Sequence, residues 1–189
     1  MSSFCVFETA HGFAAIAWTG RGVSAFRLPA ASADQARRAV LRRVPGTIDV
    51  EQPPAWIADV IGAARRYFEG EHVDFANVPL DLGEQEPLFA RIYDRVRQLG
   101  RGQTTTYGAI ARDLGERLEV ARDVGQAMAH NPIPLIVPCH RVLAAGGKIG
   151  GFSAPGGADA KARMLALEGV QPALPPEPKT PSAQTTFVF

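Results

Sequence analysis

The sequence predicts an α+β protein, in which a small N-terminal unit of sheet and helices is followed by a mostly helical unit with a helix-turn-helix. Short apolar runs separated by glycine turns occupy the N-terminal region, and apolar residues recur at helical spacing in much of the remainder. Two short helical segments also adjoin across a tight turn. A chain of 189 residues with 46% hydrophobic composition can bury the core of one domain or of two small ones.

The N-terminal sheet is predicted from three runs at residues 3–8, 13–19 and 23–28, each apolar or alternating between apolar and polar residues. Residues 11–12 and 20–22 separate these runs and contain glycine, which favours turns. The three strands are therefore expected to form a β-meander.

Two helices complete the N-terminal unit. The first is predicted over residues 34–44, where it ends before a Pro-Gly pair, and the second over 55–69, where it ends before Gly70. Residues 70–86 contain proline, glycine and five acidic residues, and are interpreted as a connection. The N-terminal domain with its connection is assigned to residues 1–83.

The second unit is assigned to residues 84–170. Apolar spacing predicts four helices, of which the middle two form the helix-turn-helix: 87–99, 106–115, 120–129 and 159–168. An apolar run at 133–137 is expected to be extended, and a glycine-rich segment precedes the last helix. The tail, 171–189, carries five prolines without periodicity and is expected to be mostly disordered.

The charge balance gives no overall signal for nucleic-acid binding. Twenty Lys and Arg oppose 19 Asp and Glu, for a formal net charge of +1, so any affinity for DNA must come from a local patch. No secretion signal is readable at the N-terminus, and no apolar run approaches the length of a membrane span. The expected location is the cytoplasm, or the nucleoid within it if the source is bacterial.

Cysteine and histidine spacing argues against a metal site. Cys5 and Cys139 are far apart in sequence, and a structural disulfide is not expected in a reducing compartment. The four histidines are scattered, without the close-spaced pairs of a zinc site. No glycine-rich loop signals a dinucleotide or methyl-donor pocket, so we expect neither a metal nor a cofactor.

Cys139 is the candidate nucleophile, because it lies in the Pro-Cys-His-Arg-Val segment at 138–142, at the end of an apolar, strand-like run. A free cysteine is most often a small buried hydrophobe, and Cys5, in an alternating strand with no adjacent base, fits that interpretation. His140 and Arg141 are able to favour the thiolate of Cys139. This placement suits a reactive thiol.

The segment from Asn131 to Val142 resembles the active-site block of the O6-alkylguanine-DNA alkyltransferases, also called methylated-DNA-protein-cysteine methyltransferases. Further blocks occur in the order found in that family: Thr106-Tyr107-Gly108, Arg122 with Val124-Gly125, Gly150-Gly151-Phe152-Ser153, Lys161 and Leu167-Glu168-Gly169. The resemblance is strong over about residues 84–170. It is weaker but compatible over the N-terminal unit, where it implies a ribonuclease-H-like domain.

The resemblance implies direct-reversal DNA repair. The alkyl group of O6-alkylguanine, with O4-alkylthymine as a further candidate substrate, passes irreversibly to Cys139. The expected catalytic residues are Cys139, His140, Glu168 and Tyr107. Glu168 orients His140, which deprotonates the thiol through a water, and the inert thioether product means that one molecule repairs one lesion.

Members of this family bind the minor groove of double-stranded DNA and extrude the target nucleotide. Arg122 matches the arginine that enters the base stack, and Tyr107 matches the tyrosine that crowds the target phosphate and donates a hydrogen bond to the flipped base. Small residues on the same helix are expected to let its backbone approach the groove floor: Ala121, Gly125, Ala127 and Ala129. Without the resemblance, tight helix packing explains that composition better.

The resemblance also implies a pocket and its supports. Three residues are expected to line the substrate pocket: Val142, Phe152 and Ser153. The Ser153 hydroxyl meets the guanine oxygen as negative charge develops on it. Asn131 is expected to tie the turn before the active-site segment, and Lys161 to position the loop of Ser153. Arg141 either donates hydrogen bonds to carbonyls or contacts a phosphate at the surface.

Some residues depart from the family pattern. Glu116, Glu119 and Asp123 place negative charge beside the expected DNA face, and residues 84–170 contain 11 basic and 9 acidic residues, a balance of only +2. Modest, salt-sensitive affinity for DNA is therefore expected. A monomer is expected by default. Residues 154–157 are interpreted as an insertion beside the serine, which bears on the size of the pocket.

Two alternatives stay open. A non-catalytic lesion-binding protein would flip the base without accepting the alkyl group, but the alkyltransferase-like proteins of this kind typically carry tryptophan where this chain has Cys139. A thiol hydrolase would pair Cys139 directly with His140. Adjacent residues of an extended strand point to opposite faces, so a water relay between them fits better.

Overall fold

The computed structural model describes residues 2–173 and confirms the α+β class. The strands β1 (Ser3–Thr9), β2 (Gly12–Trp18) and β3 (Val23–Ala30) form the predicted antiparallel meander. A two-residue strand, β4 (Ile48–Asp49), adds to β1 in parallel and gives the order β3-β2-β1-β4. This strand was not predicted, because two exposed residues carry no periodic pattern.

The two predicted helices of this unit pack on opposite faces of the sheet. The helix α1 (Ala33–Arg43) begins at Ser32, whose hydroxyl accepts a hydrogen bond from the backbone N–H of Gln35, and it covers one face. The helix α2 (Ala55–Phe68) packs with the other face in a larger cluster that also contains Cys139. The second unit therefore packs against the face of the sheet that α2 covers.

The second unit contains the four predicted helices and a short parallel ladder. Its elements are α3 (Pro87–Arg97), β5 (Thr105–Thr106), α4 (Tyr107–Asp113), α5 (Ala121–His130), β6 (Val142–Leu143) and α6 (Gly157–Leu167). Thr105 pairs with Val142 and Thr106 with Leu143, so the start of α4 is held beside the residues that follow Cys139. Because one hydrophobic cluster contains side chains of both units, the boundary at residue 83 stays a prediction.

The prediction of an extended run at 133–137 is wrong. These residues are buried and form a tight loop, in which the backbone N–H of Val137 donates to the carbonyl of Ile133 (2.9 Å) and Leu135 has φ +78°. Prolines at 132, 134 and 138 remove donors that a central strand would need. The apolar composition reflects complete burial and not a strand.

The expected disorder of the tail falls on residues 171–189, of which 174–189 lie outside the described residues. Within the described part, the backbone N–H of Ala173 donates to the carbonyl of Gly147 (3.0 Å). The start of this segment is therefore attached to the glycine-rich loop.

Candidate active site

Cys139 is the first residue of a 3-10 turn, Cys139–Arg141, and only 4% of its surface is exposed. The loop that leads to it is held by Asn131, whose Nδ2 donates to the carbonyl of Val137 (2.8 Å) and whose Oδ1 accepts from the backbone N–H of Ile133 (3.0 Å). Asn131 thus spans the turn between α5 and the cysteine, as its position in the sequence suggested. The thiol is fixed by a buried, hydrogen-bonded loop.

The surroundings of the thiol differ from what the sequence suggested. Burial raises the pKa of Cys139, while a hydrogen bond with Asn131 and the positive charge of Lys161 oppose that shift. Arg141, expected to favour the thiolate, instead turns its guanidinium to Glu168 (Nη2 to Oε1, 2.8 Å). Successive side chains of a 3-10 turn point about 120° apart, so Cys139 and Arg141 face different partners. The thiol is neutral at rest and needs a base.

Glu168, at the C-terminal end of α6, accepts hydrogen bonds from several elements. His140 donates from Nε2 to Oε1 (2.7 Å), Arg141 donates from Nε to Oε2 (2.9 Å), and the backbone N–H of Gly102 donates to Oε2 (3.1 Å). Arg141 Nη1 also donates to the carbonyl of Leu99 (2.5 Å). With 6% of its surface exposed, Arg141 is a buried tie between segments, and a surface phosphate contact does not fit.

The charges of this group follow from its hydrogen bonds. Burial disfavours the ionised form of Glu168, but the hydrogen bonds from His140 and Arg141 outweigh it and hold the pKa of the carboxyl far below its usual range. Burial lowers the pKa of His140, against the opposing effect of Glu168. The imidazole is therefore neutral with its proton on Nε2, and Nδ1 is buried without a hydrogen-bond partner among residues 2–173.

Tyr67 of α2 joins this network and was missed in the sequence. Its side chain is fully buried, and its hydroxyl donates to Glu168 Oε1 (2.9 Å) and lies 3.3 Å from His140 Nε2. Burial and the negative charge of Glu168 raise the pKa of Tyr67 well above its usual range. No local pattern could have found Tyr67, because it lies 101 positions from Glu168 on the apolar side of a helix.

Cys139 lines a cavity of about 440 Å³. The lining residues are Tyr107, Gly125, Met128, Ala129, Cys139, Gly151, Phe152 and Ser153. Val142, expected in the lining, is fully buried behind it, because pairing between β5 and β6 turns it into the core. Residues 154–157, interpreted as an insertion, form the turn before α6 and its first residue, and do not line this cavity.

The walls of the cavity hold polar groups at defined positions. Tyr107 is half-buried, and a Cβ atom at position 150 would lie 2.7 Å from its hydroxyl, so a larger residue there would force the Tyr107 side chain to shift. Lys161 is buried, donates from Nζ to the carbonyl of Val142 (2.6 Å), and lies 5.9 Å from the ring centres of both Tyr107 and Phe152. Burial lowers the pKa of Lys161 to about 8. The Lys161 ammonium group therefore lies close to two aromatic rings that line the cavity.

The Ser153 hydroxyl lies at the exposed rim and donates to the carbonyl of Ala129 (2.9 Å). This bond connects the glycine-rich loop to the end of α5. The single hydroxyl proton is occupied, so it must turn away from Ala129 to serve a ligand in the cavity.

Most of the α5 residues expected to face DNA are accessible to solvent. Arg122 and Ala129 are exposed, while Ala121 and Gly125 are partly exposed. No atom lies within 4 Å of where a Cβ of Gly125 would be, so packing inside the protein does not require glycine there. Ala127 does not belong to this face, because it is fully buried and its carbonyl accepts from the hydroxyl of Tyr93 (2.9 Å).

The acidic residues near this face are not equivalent. Glu116 accepts from Arg91 Nη1 (2.7 Å), so an intramolecular partner offsets its charge. Glu119 is exposed and Asp123 is partly exposed beside Arg122. Two of the three acidic residues therefore still weaken the positive potential of the α5 face.

Within residues 2–173, no group of three or more His, Cys, Asp and Glu side chains is arranged to hold a metal ion. In the same part of the chain, every helix is too short or too polar to cross a membrane.

Known proteins share this fold and part of this sequence. The family model for the DNA-binding domain of 6-O-methylguanine DNA methyltransferase matches residues 87–170. A "DNA base-flipping protein" of Thermus thermophilus is 42% identical over 107 residues, which cover 57% of this chain and 69% of that protein. A methylated-DNA–protein-cysteine methyltransferase of Mycolicibacterium paratuberculosis is 41% identical over 118 residues, which cover 62% and 68%.

The likeness extends to a solved structure over nearly the whole described chain. The Mycobacterium tuberculosis OGT in complex with DNA matches with a TM-score of 0.70 and 29% identity, covering 88% of this chain and 92% of that one. The agreement includes the N-terminal unit, where the sequence resemblance was weakest. By sequence and by structure, the chain belongs to the methylated-DNA–protein-cysteine methyltransferase family.

Proposed function

We propose that this protein repairs alkylated double-stranded DNA by moving the alkyl group from the O6 atom of guanine irreversibly to Cys139. The observation that carries the proposal is a buried thiol that lines a cavity of about 440 Å³ and is followed in sequence by a neutral imidazole whose Nδ1 has no partner in the described chain. The DNA-binding domain model and the DNA complex of the M. tuberculosis protein support DNA as the partner.

The buried network makes His140 a base. Because Nε2–H donates to an ionised Glu168 (2.7 Å), the lone pair of Nδ1 is available to take the thiol proton. A bridging water carries that proton, since Nδ1 makes no direct hydrogen bond to Cys139. Glu168 then stabilises the imidazolium that forms. The high pKa of the thiol protects it from other electrophiles until a substrate is bound.

The transfer step is a displacement at carbon. The thiolate sulfur forms a bond to the alkyl carbon, the bond from that carbon to O6 breaks, and its electron pair stays on O6. The leaving group becomes guanine by taking up a proton at N1. Ser153 and Tyr107 donate hydrogen bonds to the base as charge develops, and Lys161 lowers the cost of negative charge in the cavity.

Access to the base requires extrusion from the duplex, at a cost of about a few kcal/mol. We infer that α5 enters the minor groove, that Arg122 fills the space left in the stack, and that Gly125 with its open surroundings permits close approach. We expect a monomer, and modest, salt-sensitive affinity for DNA, because Glu119 and Asp123 place negative charge beside this face. The monomer is the default expectation and does not depend on those charges.

The main alternative is a protein that flips the base and does not accept the alkyl group. The Thermus thermophilus relative is called a "DNA base-flipping protein". Two observations favour transfer. Cys139 lines the cavity, and a base with a free nitrogen is kept beside it. A binding protein has no use for that buried base.

The test is to incubate the protein with a duplex that contains one O6-methylguanine and to measure the intact mass. We expect a gain of one methyl group on Cys139, saturating at one per chain, and no gain in Cys139→Ser. An unchanged mass with retained binding would favour the lesion binder, and continued turnover beyond one equivalent would favour a hydrolase.

A further inference from the structure

A second cavity, of about 650 Å³, lies between the N-terminal unit and the end of α5. It shares Ala129, Cys139 and Ser153 with the substrate cavity, so the two adjoin at the rim. On the opposite wall it is lined by Arg27 of β3 and by Arg42 and Arg43 of α1. Neither Asp nor Glu is among its lining residues. We call this the arginine cleft.

The three cleft arginines lack acidic partners in the described chain. Arg37 and Arg38, on the same helix α1, differ in this respect because they pair with Asp49 and Asp34. On α1, therefore, the arginines outside the cleft have acidic partners that offset their charge, whereas the arginines that line the cleft do not.

The three positive charges of the cleft arginines repel one another, so their grouping is unfavourable unless an anion is present. The Nε atom of Arg27 is buried without a hydrogen-bond partner among residues 2–173. Burial, and then the charges of Arg43 and Arg42, lower the pKa of Arg27 to about 10. The helix dipole favours cations in the last turn of α1. It does not explain the third arginine, which lies on a strand.

We propose that the arginine cleft binds a phosphate group of the DNA backbone and thereby extends the DNA contact from α5 to the N-terminal unit. The planar guanidinium matches a phosphate with paired hydrogen bonds. Continuity with the substrate cavity places a strand that delivers its base to Cys139 within reach of the cleft. Arg43 already touches the end of α5, donating to the carbonyl of His130 (3.5 Å).

This inference rests on the proposed function. The cleft would supply the positive charge that the α5 face lacks. Glu119 and Asp123 oppose binding at that face, whereas the cleft presents three cations without an acid in its lining. A sequence-independent phosphate contact here would anchor the duplex during base extrusion.

The test compares two double variants of α1 that lose the same charge. Arg42→Gln/Arg43→Gln removes cleft arginines, and Arg37→Gln/Arg38→Gln removes the paired ones. Binding to a duplex with one O6-methylguanine is measured in a Cys139→Ser background between 50 and 200 mM salt. In the cleft variant, the slope of log affinity against log salt, which is negative, is expected to become less steep by about 1–2, because each lost phosphate contact removes roughly 0.9. The control variant is expected to change the slope by less than half of that.

The outcomes separate the possible sources of phosphate. Equal slopes for the two variants, while the unmodified protein still gains its methyl group, would overturn this inference and leave the proposed function intact. Failure of methyl transfer in the unmodified protein would instead remove the proposed function. If inorganic phosphate raises the Tm of the protein more than chloride at equal ionic strength, and only the cleft variant loses that gain without a change in slope, the cleft holds free phosphate and the DNA contact is wrong.

Discussion

The network around Glu168 and the rim of the substrate cavity differ in how completely their polar groups are satisfied inside the protein. Glu168 is buried and accepts hydrogen bonds from His140, Arg141, Tyr67 and a backbone N–H. At the rim, Ser153 is exposed with one bond to Ala129, and the surroundings of Gly125 are open. The groups that move a proton are prearranged, whereas the groups that meet DNA are left free to adapt.

This contrast predicts that damage to the network affects both stability and chemistry, while damage to the rim affects only reactions that involve DNA. A small substrate such as O6-benzylguanine separates the two, because it enters the cavity without a duplex.

Glu168→Gln is expected to have the largest effect, because it leaves the buried Arg141 without its counter-charge. We expect a loss of about 3–5 kcal/mol in the free energy of unfolding. Alkyl transfer from O6-benzylguanine should slow by roughly 10²-fold or more, since His140 loses the group that stabilises its charged form. Urea unfolding and intact mass over time measure the two effects.

The matched control is Glu119→Gln, the same substitution at an exposed residue. It should change stability by no more than about 0.5 kcal/mol and leave the reaction with O6-benzylguanine unchanged. If Glu168→Gln behaved like this control, the network would not be the source of the base.

Arg122→Ala tests the rim. We expect repair of O6-methylguanine in a duplex to slow by about tenfold or more, because the extruded base is no longer replaced in the stack and each ~1.4 kcal/mol corresponds to a factor of ten. The reaction with free O6-benzylguanine should keep its rate, since Arg122 is exposed outside the cavity lining. Equal slowing of both reactions would exclude a role in base extrusion.

Tyr67→Phe tests the connection between the two units. The hydroxyl stabilises the charge of Glu168, so its loss should strengthen the hold of Glu168 on the His140 proton and raise the pKa of His140. With a raised pKa, His140 becomes protonated at a higher pH than in the unmodified protein. A protonated imidazole cannot accept the thiol proton, so alkyl transfer should also begin to slow at that higher pH. We expect a stability loss of about 1–3 kcal/mol and a few-fold slower transfer at neutral pH.

Tyr93→Phe is the control for this substitution, because Tyr93 is equally buried and its hydroxyl donates to the carbonyl of Ala127 at a similar distance (2.9 Å). It should lose comparable stability without moving the pH profile of transfer. Titration of the His140 ring signals by NMR gives the readout. Coincident profiles for Tyr67→Phe and the unmodified protein would reduce Tyr67 to a structural residue.

The same contrast decides how much of the molecule the sequence could predict. The meander and the main helices have strong periodic patterns, so their placement follows from local sequence. Asn131 and Glu168 could be placed because they fall in blocks that resemble the family. The 133–137 loop was misread because a run that is buried on every side has no period. Tyr67 was missed because its partner is remote in sequence, a link that only folding reveals.

The expectation that Arg141 favours the thiolate of Cys139 failed for a third reason. The neighbour of Arg141 in sequence is the reactive segment, but its partner in space is Glu168, and the choice depends on a 3-10 turn that the apolar run before it concealed. Lys161, which lies 22 positions after Cys139, supplies the positive charge near the thiol instead. Sequence proximity is therefore a poor guide to electrostatics in a tight turn.

Gly125→Ala is expected to have the smallest effect, and its two consequences should have opposite signs. Because the site of the added methyl group is open and lies inside α5, alanine should stabilise the helix by about 0.5–1 kcal/mol. The same methyl group would meet the floor of the groove, so duplex repair should slow a few-fold while the reaction with O6-benzylguanine is unaffected. Thermal unfolding and paired rate measurements check both. Higher stability with unchanged duplex repair would mean that the open face of α5 at Gly125 does not approach DNA closely.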